Sequence, residues 1–168
     1  MKTTKKIALC AVFSAMSVIT FMLENLFPPL FIPGARLGLS NLFILLSLSI
    51  LGVKYAFITL IVKALIGCSF NGFFSIIYSL PAGMIALAFE ILLIYKIKTS
   101  LICASITGAI VNSVGQNFVF CLTAETTEYF IYLPYLALIA CFAGLAIGFA
   151  LYVTLKKIPD KFFKEDTL

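Results

Sequence analysis

The chain has 168 residues, 62% of them hydrophobic and 11% charged, with a formal net charge of +5. A soluble domain of this length carries about a quarter charged residues, so the composition excludes a water-soluble globule and predicts an integral membrane protein with one transmembrane domain over 1–168. The sequence has no histidine, which removes the commonest general base and metal ligand. Its five cysteines stand singly in apolar segments without a CxxC pair, so no metal site, cofactor or disulfide framework is expected, nor a nucleic-acid partner.

Lys2, Lys5 and Lys6 precede a first apolar span, about 7–23. No small-x-small cleavage site lies at its far end, so the span is expected to stay uncleaved. Ala8, Ala11 and Ala15 fall on one side of it as a small-residue stripe, which is either a face where another helix approaches closely or the chance result of a common residue.

Residues 28–47, PPLFIPGARLGLSNLFILLS, hold three of the six prolines and the only arginine, Arg36. Pro28, Pro29, Pro33 and Gly34 forbid a continuous helix, so an irregular loop is predicted. Ser40 and Asn41 then occupy helix N-cap positions ahead of an apolar run. A guanidinium beside a helix start attracts an anion; the competing reading is an arginine snorkelling to lipid headgroups. The second span, about 39–51, is short for a bilayer that needs about 20 residues.

A third span, about 55–70, contains Lys63, roughly 13 Å beyond Lys54 at 1.5 Å per residue. An ammonium at that depth is costly and marks a functional site, with snorkelling as the alternative. The fourth span, 73–95, has Pro81-Ala82-Gly83 near its middle, where a weakened or kinked helix is expected. Its Glu90 is expected to pair with Lys96 or Lys98 at the inner surface. The fifth span, 100–122, carries Asn112, Gln116 and Asn117; so many amides among apolar residues must face the protein, where they lock helices together or touch a ligand. The sixth span, 129–155, contains Gly144-x-x-x-Gly148, a close-packing signal, and a charged tail follows over 156–168.

With the N-terminus inside, ten of the 12 basic residues fall on the inner side. That positive-inside pattern predicts six transmembrane helices with both ends cytoplasmic. It also gathers Arg36, Asn41, Asn71, Gln116 and Asn117 toward the outer side, above Lys63. The expected site is an outward, cationic, amide-rich cavity walled by Phe and Tyr side chains such as Tyr78. It suits a small, anionic ligand, and no carboxylate is expected in it beyond Glu24 or Glu125 at the rim.

Residues 32–67 (IPGARLGLSNLFILLSLSILGVKYAFITLIVKALIG) and 71–90 (NGFFSIIYSLPAGMIALAFE) resemble the Gx transporter family, often labelled heptaprenyl diphosphate synthase component I; PGARLGLSN is the most specific stretch. The layout is similar to the substrate-binding S components of ECF vitamin transporters. That resemblance implies a six-helix S-component fold in the cytoplasmic membrane of a prokaryote. It further implies that Ala11 and Ala15 meet a transmembrane coupling subunit, that ATPase subunits power the cycle, and that Arg36, Asn41 and Lys63 lie at or near the ligand. The synthase label meets a chemical obstacle: diphosphate is held through magnesium on clustered aspartates, and this chain has only Asp160 and Asp166, both in the tail. The sequence also lacks a Walker motif. The leading expectation is therefore a non-enzymatic substrate-capture subunit of an uptake transporter. The alternative is a non-catalytic membrane subunit of a prenyl diphosphate synthase system, and a third is a membrane scaffold.

Overall fold

The computed structural model describes residues 3–26, 38–71, 74–124 and 128–157. Among them lie six α-helices and no strand: α1 (Thr3–Leu26), α2 (Asn41–Leu51), α3 (Val53–Asn71), α4 (Ser75–Ile91), α5 (Leu101–Ala124) and α6 (Leu133–Lys157). Five of the apolar stretches are long enough to cross a bilayer, and α2, with 11 residues, is the short one. Large apolar side chains point outward along the bundle, Phe74, Phe142 and Phe149 among them. In water such a surface would be an aggregation hazard; it fits a multi-pass membrane protein, whose outer surface faces hydrocarbon.

The short helix is the centre of the packing. Ile44, Leu45, Leu46 and Leu48 of α2 are buried in one cluster with Ala56 and Leu60 of α3, Leu87 of α4, and Ile147 and Leu151 of α6. At about 1.5 Å per residue α2 is roughly 16 Å long, too short to cross alone. It is held inside the bundle by neighbours rather than by its own length. Gly52 joins it to α3 with no intervening loop. The φ of 97° there is open to glycine and strained for other residues, and the Gly52 amide donates back to the Ser47 carbonyl at 3.1 Å.

Pro81 sits inside α4, which nevertheless continues as α-helix from Ser75 to Ile91. The irregularity lies at its end, where Leu92–Ile97 widens to a π-helix that Lys98 closes in the left-handed conformation. The Tyr95 hydroxyl donates to the Leu48 carbonyl at 3.4 Å, tying that segment to α2.

The glycine pair of the sixth helix does what its spacing predicts. A Cβ on Gly144 would lie 2.7 Å from the Ile106 Cα, and one on Gly148 would lie 2.8 Å from the Ile102 Cα. The α5 and α6 backbones are therefore in direct contact, and the Ser105 hydroxyl donates to the Gly144 carbonyl at 2.8 Å. Gly144→Leu should force the two helices apart and destabilise the fold by about 1–3 kcal/mol, as overpacking does. Thermal unfolding of the purified chain in lipid measures it, with the lipid-facing Leu145→Ala as a control that moves little.

Candidate functional site

Lys63 lies near the middle of α3 and is 6% exposed. It is turned into the protein and does not snorkel. Its ammonium donates to Asn41 Oδ1 at 2.8 Å and stands 5.5 Å from the centre of the Phe21 ring, a cation–π distance worth about 2 kcal/mol when desolvated. The geometry places Asn41 as the first residue of α2 while its side chain reaches across to α3.

The backbone around that helix start is already engaged. Gly38, at φ 72°, turns the chain so that the Asn41 amide donates to the Gly38 carbonyl at 2.9 Å and the Leu42 amide to the Leu39 carbonyl at 3.1 Å. The Leu39 amide donates to the Glu24 carboxylate. An anion was expected here from outside, yet α1 supplies one from within, as a carboxylate is favoured beside the first turn of a helix. Ser40 occupies the N-cap position without capping: its hydroxyl is buried and lacks a partner, while its carbonyl accepts from the Ser17 hydroxyl at 3.0 Å.

Glu90 departs most from expectation. It does not reach Lys96 or Lys98, both of which are exposed. It is 4% exposed and lies deep in the bundle. Its carboxylate fits against Gly108 of α5, where any Cβ would overlap it. The buried residues of α4 are Ser75, Ser79, Ala82, Gly83, Ala86, Leu87 and Glu90, one helical face on which Glu90 is the next position. Sequence adjacency to two lysines obscured that periodicity.

These side chains converge on one interior cavity. Asn41, Glu90 and Asn112 are its polar walls, and Ile44, Leu60 and Leu87 are among its apolar ones. Its volume is about 10 Å³, the space of a single water molecule. Asn112 Oδ1 accepts from Gln116 Nε2 at 3.2 Å, which extends the polar set one turn along α5. Asn117 is buried apart from them and accepts from the Cys121 thiol at 3.5 Å. Tyr78 packs edge-on against Phe120 with ring centres 5.8 Å apart, joining α4 to α5. Arg36 and the side chain of Asn71 lie outside the described residues. Of the expected site, then, Asn41 and Lys63 meet directly, Asn41 and Asn112 line one cavity, Gln116 is linked through Asn112, and Glu90 joins as an unexpected member. Glu90 thus puts a carboxylate on the wall of this interior cavity, where none was expected beyond Glu24 or Glu125 at the rim.

On another side of the bundle, Ala8, Ala11 and Ala15 are exposed on α1. Ala11 and Ala15 line an apolar groove of about 600 Å³ between α1 and α3. Its polar members are turned inward. The Cys10 thiol points to the Tyr55 carbonyl at 3.7 Å, and the Ser14 hydroxyl donates to Thr59 Oγ1 at 3.4 Å. Thr59 in turn meets the Ser47 hydroxyl of α2 at 3.3 Å.

The family model of heptaprenyl diphosphate synthase component I matches residues 13–154. The chain belongs to that family. The match covers α2 to α5 completely and most of α1 and α6, so every helix that builds the polar cavity lies within it. Neither a curated protein nor a solved structure matches the chain.

Lys63 and Glu90 are both buried in the bundle, and whether they act on each other as a pair is testable. Removing one member of a buried charge pair strands the other and costs about 3–5 kcal/mol, while replacing both by apolar or neutral groups is often nearly neutral. Lys63→Met is therefore expected to lower the unfolding midpoint strongly, and Lys63→Met with Glu90→Gln to recover most of the loss. Additive losses in that double-mutant cycle would show that the two charges do not act on each other.

Proposed function

We propose that the chain is a non-catalytic membrane component of a prenyl diphosphate synthase system. The observation that carries this reading is the family match over most of the chain, taken with a residue content unable to perform the reaction unaided. Only Asp160 and Asp166 are present, far from the several clustered carboxylates that magnesium-diphosphate chemistry uses. The catalytic aspartates belong on a separate subunit, and this chain gives that subunit a membrane seat beside its hydrocarbon product. Tagged full-length protein, extracted in mild detergent, is expected to copurify with an aspartate-rich prenyl synthase. Deleting the chain should lower chain-elongation activity in membranes several-fold; unchanged activity and no bound synthase would reject this role.

A second reading is supported by the buried polar cluster, which a simple anchor does not need. In it the chain captures a small molecule for uptake, as a six-span subunit of a prokaryotic cytoplasmic membrane with both ends inside. Arg36, Asn41, Lys63, Asn71, Tyr78, Asn112, Gln116 and Asn117 surround the ligand. Ala8, Ala11 and Ala15, beside the groove, form the face toward a coupling subunit, and separate ATPase subunits supply the energy. Native mass spectrometry of gently extracted protein separates the two readings through what it retains: a small molecule with ATPase partners, or a synthase. Under the second reading Asn41→Ala and Gln116→Ala should each weaken retention about tenfold, the equivalent of one hydrogen bond to a charged or buried partner. Full retention by both variants would remove these amides from the ligand site.

A further inference from the structure

The apolar groove between α1 and α3 has lysine at one end and a closed wall at the other. Ile7 and Tyr55 line its first end, Ile19 and Ile66 its last. The two helices run side by side, Cys10 meeting Tyr55 and Ser14 meeting Thr59. Just past Ile19 and Ile66 they close together, since a Cβ on Gly67 would lie 2.6 Å from the Phe21 ring. At the first end the rows of lining residues continue into lysine. Lys6 precedes Cys10 by one turn and Lys54 precedes Ile58 by one turn, so each falls on the groove side of its helix. Glu24 lies toward the opposite end of α1, and Glu90 packs against α5.

Size decides what kind of molecule fits. From Ile7 to Ile19 the groove runs about 18 Å, at 1.5 Å per residue. Its volume of about 600 Å³ leaves a mean section of about 33 Å² over that length. A helix, about 10–12 Å across with its side chains, has a section roughly two to three times larger. A hydrocarbon chain is about 4 Å thick at carbon contact distance, so a single methyl-branched chain fits. At roughly 30 Å³ for each water-sized group, the volume holds about 20 carbons, or about four isoprene units. Ala11 and Ala15 keep the α1 side low, while Ile58, Val62 and Ile66 line the other with branched side chains.

Apolar fit alone gives no preference in a membrane, because lipid tails are as apolar as the groove. The head group must therefore select the occupant. A diphosphate between Lys6 and Lys54 gains charge-assisted contacts that a neutral head lacks and a singly charged one makes less strongly.

We infer that the α1–α3 groove binds one prenyl diphosphate, its hydrocarbon chain along Ala11 and Ala15 and its diphosphate at Lys6 and Lys54. This rests on the synthase-component reading and gives that system's product a place on this chain.

The test uses the full chain in dioleoylphosphatidylcholine nanodiscs and a geranylgeranyl diphosphate analogue carrying a diazirine on its last isoprene unit. Irradiation is expected to label the chain near Ile19 and Ile66, read by peptide mass spectrometry. Ala11→Phe and Ala15→Phe fill the groove from exposed positions, and each should reduce labelling at least about tenfold. Ala15→Leu replaces them if the unfolding midpoint shows that neither Phe variant folds. Lys6→Gln with Lys54→Gln should raise the concentration for half-maximal labelling about tenfold, and the corresponding alcohol should label the wild type as weakly. Labelling outside the groove, or labelling indifferent to the groove-filling and lysine variants, would overturn the inference. So would equal competition by dioleoylphosphatidylglycerol, which would mark an anionic-lipid site, or an unlabelled wild type, which would leave this face to a partner helix. The synthase reading fails separately: groove labelling would then stand while no synthase copurified. A copurified synthase with an unlabelled groove would refute the groove alone.

Discussion

One ammonium group, placed where water cannot follow it, constrains the rest of the bundle. Lys63 needs compensation from every direction. Among its contacts are an amide oxygen from the first residue of α2 and a ring face from α1. Two helices are thereby held in register around a third. The cost of leaving such a group unserved in hydrocarbon is several kcal/mol or more, larger than the contribution of any single apolar contact in the core. Packing fills the space, and the buried charge specifies which way the helices must face.

The short second helix shows how this works. Its apolar residues would be satisfied in many orientations, since most of its length is surrounded by aliphatic side chains. Polar ties at its N-terminal end remove that freedom. Glu24 of α1 holds the Leu39 amide, Ser17 holds the Ser40 carbonyl, and Lys63 of α3 holds Asn41. At the other end Tyr95 and Gly52 fix the exit. A helix too short to cross by itself is thus positioned by hydrogen bonds at both ends, and it brings the site's amide against the site's charge.

Much of this was legible in the residue pattern, and the exceptions have physical causes. Hydropathy alone exposes the apolar helices, and the brevity of the second follows from the distance between Ser40 and Gly52. A lysine far from either end of a span announces itself, because the membrane makes such a residue expensive. The Gly144/Gly148 spacing likewise needs no structure to suggest close backbones. Glu90 was harder because two nearby lysines offered an obvious partner along the chain. Following Ser79, Ala82, Gly83, Ala86 and Leu87 round the helix would have continued the buried small-residue face to Glu90 itself. The three amides of α5 were seen as one group, yet one turn of helix divides them: Asn112 reaches the cavity, Gln116 supports it, and Asn117 turns to Cys121. Which amide faces which neighbour depends on how α5 is rotated against α4, a tertiary fact that spacing along one helix does not contain.

Gly108 carries a consequence beyond this chain. Because a carboxylate occupies the volume that a methyl group would need, positions 90 and 108 are not free to drift separately. A lineage that lost the acid would be released to place alanine or serine on α5, and one that gained bulk at 108 first would have to give up the acid. The two sites should therefore change together among related sequences, a correlated exchange imposed by shape and independent of what the cavity holds.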